Sequence, residues 1–449
     1  MVFSFVIGNN NIGDNMKNNK NTKKDKSIWD KYLYIKEYPK LEEDITTDVL
    51  IIGGGISGIL IAKKLNDNNI ETIIVEKNRI GTGATSKTTA FLTAQHETLY
   101  QNMKMEKATE YLKLNNEALN EYKKLANEFD FDYEKTDSCL FSTNEHIIRK
   151  EYEILKLLNQ EVYLKNEIPF NKYEYGVCFK NQGIINPIKL INCLSKDLKI
   201  YENTEVKKLK HNYAILTNGK IIKFKKVVIA THYPINNKLN LLFMKLTQRK
   251  SYVIAFKKEL IRGTYCSIDE NGIYYRMVDD YIIVGGNDRD TGCRTITDFE
   301  RRVSYLFNLT KDEIEYSWSG QDCITLDGIP YIGRSDIFHK NHIIVTGFNL
   351  WGFTWAMASS NIVLNIIKHN KECKLTKLHR FCINKNLFKN IGKSIINLIN
   401  LKKPRCTHLG CRLIYNKNEH IWECPCHGST YAEDGKLLIG PSKNNIKKL

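Results

Sequence analysis

Apolar and polar positions divide the chain into blocks of different period. Across residues 48–76 an apolar run from Val49 to Ile52 meets Gly53-Gly54-Gly55-Ile56-Ser57-Gly58. A helical pattern follows through Ile59, Ala62 and Leu65, and then a second apolar strand stops at an acid, Glu76. Strand, glycine turn, helix and strand in that order predict a βαβ unit. Residues 103–128 and 145–159 repeat at helical spacing and predict core-facing helices. Short β-like runs fill 161–226, with a hairpin turn at Asn218-Gly219, and 225–234 (KKVVIATHYP) reads as a further strand of a parallel sheet. Residues 250–290 alternate apolar and polar around Asp279-Asp280, which predicts an antiparallel hairpin roofing a substrate cavity. The first sheet is expected to resume at 318–333 and 342–346, before Gly347, Gly352-Phe353-Thr354 and a small-residue helix from Trp355.

These blocks predict an α/β chain in four parts. Residues 1–45 form an extension, and 46–370 form a nucleotide- and substrate-binding region. Within it the nucleotide parts lie near 46–100, 185–235 and 318–370, and the substrate parts near 101–184 and 236–317. A basic, partly amphipathic linker, 371–404, leads to a small C-terminal domain, 405–449.

Length and charge narrow the function classes. The 449 residues, 42% hydrophobic, suffice for two or three domains with ordinary cores. The net charge of +17 comes from lysines scattered among asparagines with no nucleic-acid motif, so the reading is a solvated basic surface. Docking to an acidic electron-transfer protein or an anionic membrane is the sharper alternative. No apolar run approaches the ~18 residues that a membrane span requires. The opening MVFSFVIG lacks the basic start of a signal peptide, residues 9–27 read as disordered, and Met16 is an alternative start. A cytoplasmic location is expected, with the twelve cysteines mostly reduced or metal-bound.

The glycine cluster satisfies G-x-G-x-x-G, and its glycines serve different mechanical ends. Gly53 permits the tight turn, Gly55 the close approach of a pyrophosphate, and Gly58 helix–strand packing. Glu76 stands where an acid grips a ribose hydroxyl. Lys77, Thr85 and Ser86 lie in a returning polar loop suited to phosphate or flavin-edge contacts. The helix start at Gly352 can hold negative charge. The final 44 residues carry Cys406-x-His408, fifteen residues, then Cys424-x-x-His427. Two thiolates and two imidazoles suit either a [2Fe–2S] centre or a zinc ion.

With GGGISG and Glu76, the TEV and VVIAT strands, YYRM with VGG, and the closing VTGF…WGFT, residues 45–370 resemble the glycine-oxidase and D-amino-acid-oxidase-like FAD-dependent oxidoreductases. The resemblance implies a glutathione-reductase-type Rossmann-like domain with an antiparallel β substrate domain. It also implies FAD oxidising a C–N bond, with hydride passing to the flavin. By position, Gly53, Gly55, Ser57 and Gly58 would hold the pyrophosphate, Glu76 the ribose and Val206 the adenine. Gly352, Phe353 and Thr354 would face the isoalloxazine, Gly347 would also bind the cofactor, and Arg276 would anchor substrate. CTHLGC with CPCHGSTY resembles the Rieske protein of respiratory cytochrome bc complexes, a small all-β domain. That resemblance implies cluster ligands Cys406, His408, Cys424 and His427, a Cys411–Cys426 disulfide, sulfur-bonding hydroxyls on Ser429 and Tyr431, and a covering loop at Gly440-Pro441. No base strands are legible between the linker and Cys406.

Together these imply an enzyme in which FAD takes two electrons from a small amine or amino acid. The cluster then passes them singly to an acceptor protein or quinone. A non-catalytic electron carrier or sensor is the alternative. A Rieske oxygenase would need a mononuclear iron site beyond the cluster motif, and NAD(P)H a second fingerprint, which VGGNDRDTG does not provide.

Overall fold

The glycine-rich unit folds as its pattern requires. The computed structural model describes residues 23–446, apart from 25, 34–35, 171–174, 236–239, 260–261, 293–295, 337, 381–383, 401–403 and 418. Strand Ile45–Ile52 runs parallel to Thr72–Val75 and Ile221–Ile229, and helix Ile56–Asn66 crosses between the first two. The sheet continues through His342–Thr346 to an antiparallel edge, Tyr331–Arg334, and through Ile200–Tyr201 on the other side. Val49 and Ile51 enter one core and Leu50 and Ile52 the other, so the strand is apolar at successive positions because both faces are covered. The turn expected at Asn218-Gly219 closes the hairpin of Tyr213–Leu216 with Ile221–Ile229, Gly219 having φ +87°.

A ten-stranded sheet stands over the parallel one, with Leu246–Lys257 paired antiparallel to both Tyr281–Asp290 and Ile314–Thr325. Here the structure corrects part of the expectation: Trp318 to Thr325 belong to this ten-stranded sheet, and the first sheet resumes with its edge strand Tyr331–Arg334 and then His342–Thr346. Burial along Ile314–Thr325 alternates over much of its length, the period of a strand with one covered face.

The extension is also corrected. Residues 9–22 lie outside the described residues, but Lys23–Lys24 pair with Tyr316 and Ser317, and Ile28–Tyr32 forms a capped turn. Ile28 and Trp29 are fully buried, and Trp29 Nε1 donates to the Thr88 carbonyl at 2.7 Å. Within the expected linker, Lys385–Ile399 is a helix. A four-stranded antiparallel sheet of three-residue strands, from Ile414–Asn416 to Leu437–Ile439, closes the described chain; its strands follow Cys406 instead of preceding it.

One cysteine pair departs from the expectation of free thiols. Cys139 and Cys178 face each other across Glu134–Ser142 and Tyr175–Ile184, Cα atoms 4.0 Å apart, and form a disulfide. Cys411 and Cys426, the implied pair, are separate thiols whose Sγ atoms lie with that of Cys424 inside a 4.8 Å group. Among the described residues no helix is long and apolar enough to cross a membrane.

Candidate flavin and cluster sites

A cavity of about 1580 Å³ opens between the parallel sheet and the ten-stranded sheet. Its floor is the glycine turn. The Glu76 carboxylate accepts from the Gly54 N–H at 2.8 Å and the Asn78 N–H at 2.9 Å, so the acid first braces the turn. Thr85 Oγ1 accepts from Ile56 N at the helix start. Gly58 does not reach the cavity: a Cβ there would lie 2.0 Å from the Gly53 carbonyl oxygen, which makes it a packing glycine. Of the other expected contacts, Gly53, Gly55, Ser57, Glu76, Lys77, Thr85, Val206, Gly347, Gly352 and Phe353 line the cavity. Ser86 and Thr354 do not. Ser86 turns to the Gly83 carbonyl, and Thr354 Oγ1 donates to the Thr93 carbonyl at 3.2 Å beside His96.

Arg276 also lies away from the cavity. Its guanidinium is buried, donating to the carbonyls of Thr89 at 2.5 Å and Ile185 at 2.8 Å and sitting over the Trp29 ring. It ties the substrate sheet to the N-terminal segment. The cavity wall instead carries Arg289, whose Nε and Nη2 are buried without hydrogen-bond partners, and three acids, Glu97, Asp288 and Asp322. Burial raises the pKa of all three, that of Asp322 to about 6, and like charge adds to it, Asp288 raising Glu97 and Asp322 raising Asp288. Ser251 and Tyr274 donate to Asp288. Trp351 stacks on His96 at 4.8 Å, and burial holds that imidazole neutral by lowering its pKa to about 3. None of these residues stands out in sequence; the nearest signal is the polar run Asn287-Asp288-Arg289-Asp290 ending an otherwise apolar strand.

The C-terminal boxes converge as their spacing requires. Cys406, Cys424 and His427 are buried, and the His408 and His427 rings stand edge to face with centroids 5.0 Å apart. Ser442 Oγ and Tyr431 Oη lie 3.2 and 3.5 Å from Cys406 Sγ, and Ser429 Oγ accepts from Ser442 Oγ at 2.9 Å. Gly440 and Pro441 line the large cavity, so the C-terminal domain forms part of its wall. The domain is fixed to the rest by a buried ion pair: Lys250 Nζ meets Glu419 at 2.5 Å and Glu423 at 2.7 Å. Thr291 Oγ1 donates to the Cys424 carbonyl, and Gln321 Nε2 to Thr430 Oγ1.

Residues 48–365 match the FAD dependent oxidoreductase (DAO) family, and residues 397–449 match the Rieske [2Fe-2S] domain. The chain belongs to the DAO family of FAD dependent oxidoreductases. It is 27% identical to YhfW of Bacillus subtilis (strain 168), which carries the name of a Rieske 2Fe-2S iron-sulfur protein, across 94% of this chain and 97% of that one. It is 23% identical to the gamma-glutamylputrescine oxidoreductase of Escherichia coli (strain K12) over 75% of this chain and 87% of the relative. Glycine oxidase from Geobacillus kaustophilus shares the fold, with TM-score 0.64 at 19% identity, covering 75% of this chain and all of that one.

A DAO chain binds FAD and a Rieske domain a [2Fe–2S] cluster, and the residues present fit both. Nothing but Thr85 Oγ1, at 3.3 Å, would crowd a Cβ at Gly55, so the turn leaves room for a phosphate against its backbone. His427 Nε2 donates to the Phe243 carbonyl at 2.8 Å, while its buried Nδ1 makes no hydrogen bond, the protonation pattern of an imidazole ready to ligate.

Proposed function

We propose that this chain dehydrogenates a small amine or amino acid at FAD and delivers the electrons through its own Rieske cluster to a one-electron acceptor protein or a quinone. FAD would supply the two-electron acceptor and the cluster a one-electron relay. One observation carries the reading. His427 is held by its Nε2–H on the flavin domain, and the ring of Tyr233, itself lining the cavity, lies within 6.1 and 6.3 Å of the His408 and His427 ring centroids. The cluster ligands thus face the flavin cavity across one aromatic side chain.

The cavity supports an enzyme over a passive carrier. Gly53, Gly55, Ser57, Glu76, Lys77, Thr85 and Val206 would hold the dinucleotide, and Gly347, Gly352 and Phe353 the ring system. Cys406, His408, Cys424 and His427 would hold the iron. Arg289 would take an anionic substrate group with its unpartnered N–H groups, while Asp288 and Asp322 would face a substrate ammonium. Oxidation of the C–N bond removes two electrons and two protons, and burial keeps Asp322 a carboxyl that can exchange a proton near neutrality. Of the six described cysteines outside the cluster boxes, four are free thiols, which fits the cytoplasm, and two form the Cys139–Cys178 disulfide. The test is anaerobic: amines and amino acids are screened for flavin bleaching, followed by low-temperature EPR. A substrate that bleaches the flavin and then produces the reduced-cluster signal supports the route. Bleaching without any cluster signal would overturn it.

A further inference from the structure

The Lys385–Ile399 helix is mounted with its apolar side outward. Asn384 caps it through the N–H groups of Asn386 and Leu387, and the side chains of Asn384 and Asn386 donate to the Leu326 carbonyl at 2.7 and 3.1 Å. Lys393 pairs with Asp290 at 2.9 Å. Polar groups therefore hold the helix to the flavin domain. Phe388, Ile395 and Ile399, at i, i+7 and i+11 on one stripe, are 66, 49 and 71% exposed, and Ile396 beside them is 69% exposed. No residue of the helix is buried. A helix packing on its own protein turns that stripe inward; one that turns it outward has another apolar phase to meet.

Charge identifies that phase. The 46 residues from 373 to 418 contain eleven Lys and Arg and no Asp or Glu, and Lys385 and Lys389 fall beside the apolar stripe. A 15-residue helix with this division is suited to lie in a lipid interface, its stripe among the acyl chains and its lysines at anionic headgroups. Pairing of two copies through this face would bring the same lysines together, which like charge opposes.

We propose that the Lys385–Ile399 helix seats the protein on an anionic lipid surface. The seat adjoins the cluster domain: Arg412 N donates to the Asn397 carbonyl at 3.0 Å, and Arg405 Nη2 to the Leu398 carbonyl at 2.8 Å. Docking of this helix therefore sets the cluster end of the chain against the lipid. The inference stands apart from the catalytic reading, since binding is measured without substrate.

The holoprotein is mixed with vesicles of phosphatidylglycerol and phosphatidylcholine, or of phosphatidylcholine alone, and sedimented. It is expected to bind the anionic vesicles and to be released by salt. Phe388→Ser/Ile396→Ser/Ile399→Ser and, separately, Lys385→Glu should each weaken binding by roughly tenfold or more, with flavin and cluster spectra unchanged. The charge variant alters only an exposed residue, which keeps the test sound should the triple variant misfold. Three results would overturn the proposal: no binding of the wild type to anionic vesicles, binding unaffected in both variants, or a solution dimer that the triple variant turns into monomer, which would assign the face to a second copy.

Discussion

His427 and Phe243 join the two halves of the molecule by one hydrogen bond, Nε2–H to main-chain carbonyl at 2.8 Å. Because a carbonyl only accepts, the proton stays on Nε2 and the buried Nδ1 keeps its lone pair. Losing this ring removes an anchor and, on the proposed assignment, a cluster ligand. His427→Ala is expected to purify with its flavin, since the flavin domain has its own cores, but with iron lowered at least roughly tenfold. Iron analysis and EPR of the reduced protein read the result; full iron would contradict the ligand assignment.

Gly58 and Gly55 should respond differently to the same substitution. A Cβ at Gly58 meets the Gly53 carbonyl oxygen at 2.0 Å and cannot be accommodated without moving backbone, whereas at Gly55 its only near neighbour is a hydroxyl at 3.3 Å. Gly58→Ala should cost about 1–3 kcal/mol of stability. Gly55→Ala should melt near wild type but hold FAD more weakly, because the methyl occupies space beside the phosphate. Calorimetry of the apoproteins and FAD titration separate the two, and equal losses of stability would refute the distinction.

The substrate-anchoring role expected of Arg276 is proposed instead for Arg289, while Arg276 ties buried segments together. Arg276→Met leaves the buried carbonyls of Thr89 and Ile185 unpaired and should destabilise by roughly 2–4 kcal/mol. Arg289→Met should leave the melting temperature nearly unchanged and raise KM at least roughly tenfold for any substrate carrying an anionic group. A KM effect confined to Arg276→Met would return the anchoring role to Arg276.

What the sequence discloses divides along the same line. The βαβ unit is legible because its signal is local: an apolar run, four glycines and an acid within 29 residues. The ligand boxes are legible because metal spacing leaves few alternatives. Arg276 is misread because strand Ile273–Val278 is paired on both sides, and which of its residues face the cavity depends on sheets hundreds of residues away. Trp29 is missed because a tryptophan that fills the core stands in a stretch of lysines and asparagines whose average polarity conceals it. The cluster-domain strands, three residues each, are too short to show a period.

Lys250 holds the cluster domain by charge. Its ammonium is 5% exposed and meets Glu423, 1% exposed, whose other oxygen accepts from Gly292 N at 2.7 Å. Lys250→Met would leave a carboxylate buried without its cation, at about 3–5 kcal/mol. The expected result is a cluster domain cleaved by protease under conditions where the wild type resists, with FAD retained. The triple variant Lys250→Met/Glu419→Gln/Glu423→Gln should recover much of the loss, because both carboxylates that Lys250 pairs are then neutral. Failure of that rescue would mean that packing, and not charge, fixes the interface.

Asp322 makes stability depend on pH in a stated direction. Burial raises its pKa from 3.8 to about 6, so between those values the folded apoprotein binds a proton that the unfolded chain has released. Stability contributed by this site therefore falls as pH rises from about 4 through about 6, and above that the buried carboxylate is a constant cost. Asp322→Asn removes the titration. The variant apoprotein should match wild type near pH 4 and exceed it by about 1–2 kcal/mol at pH 8, a value reduced for water in the cavity. Substrate oxidation should move the other way. If the Asp322 carboxylate faces a substrate ammonium, kcat/KM of the wild type rises through pH ~6 and that of Asp322→Asn is lower and flat there. A variant that gains stability at pH 8 but keeps the wild-type pH profile would leave Asp322 as a strained wall residue without a part in binding the amine.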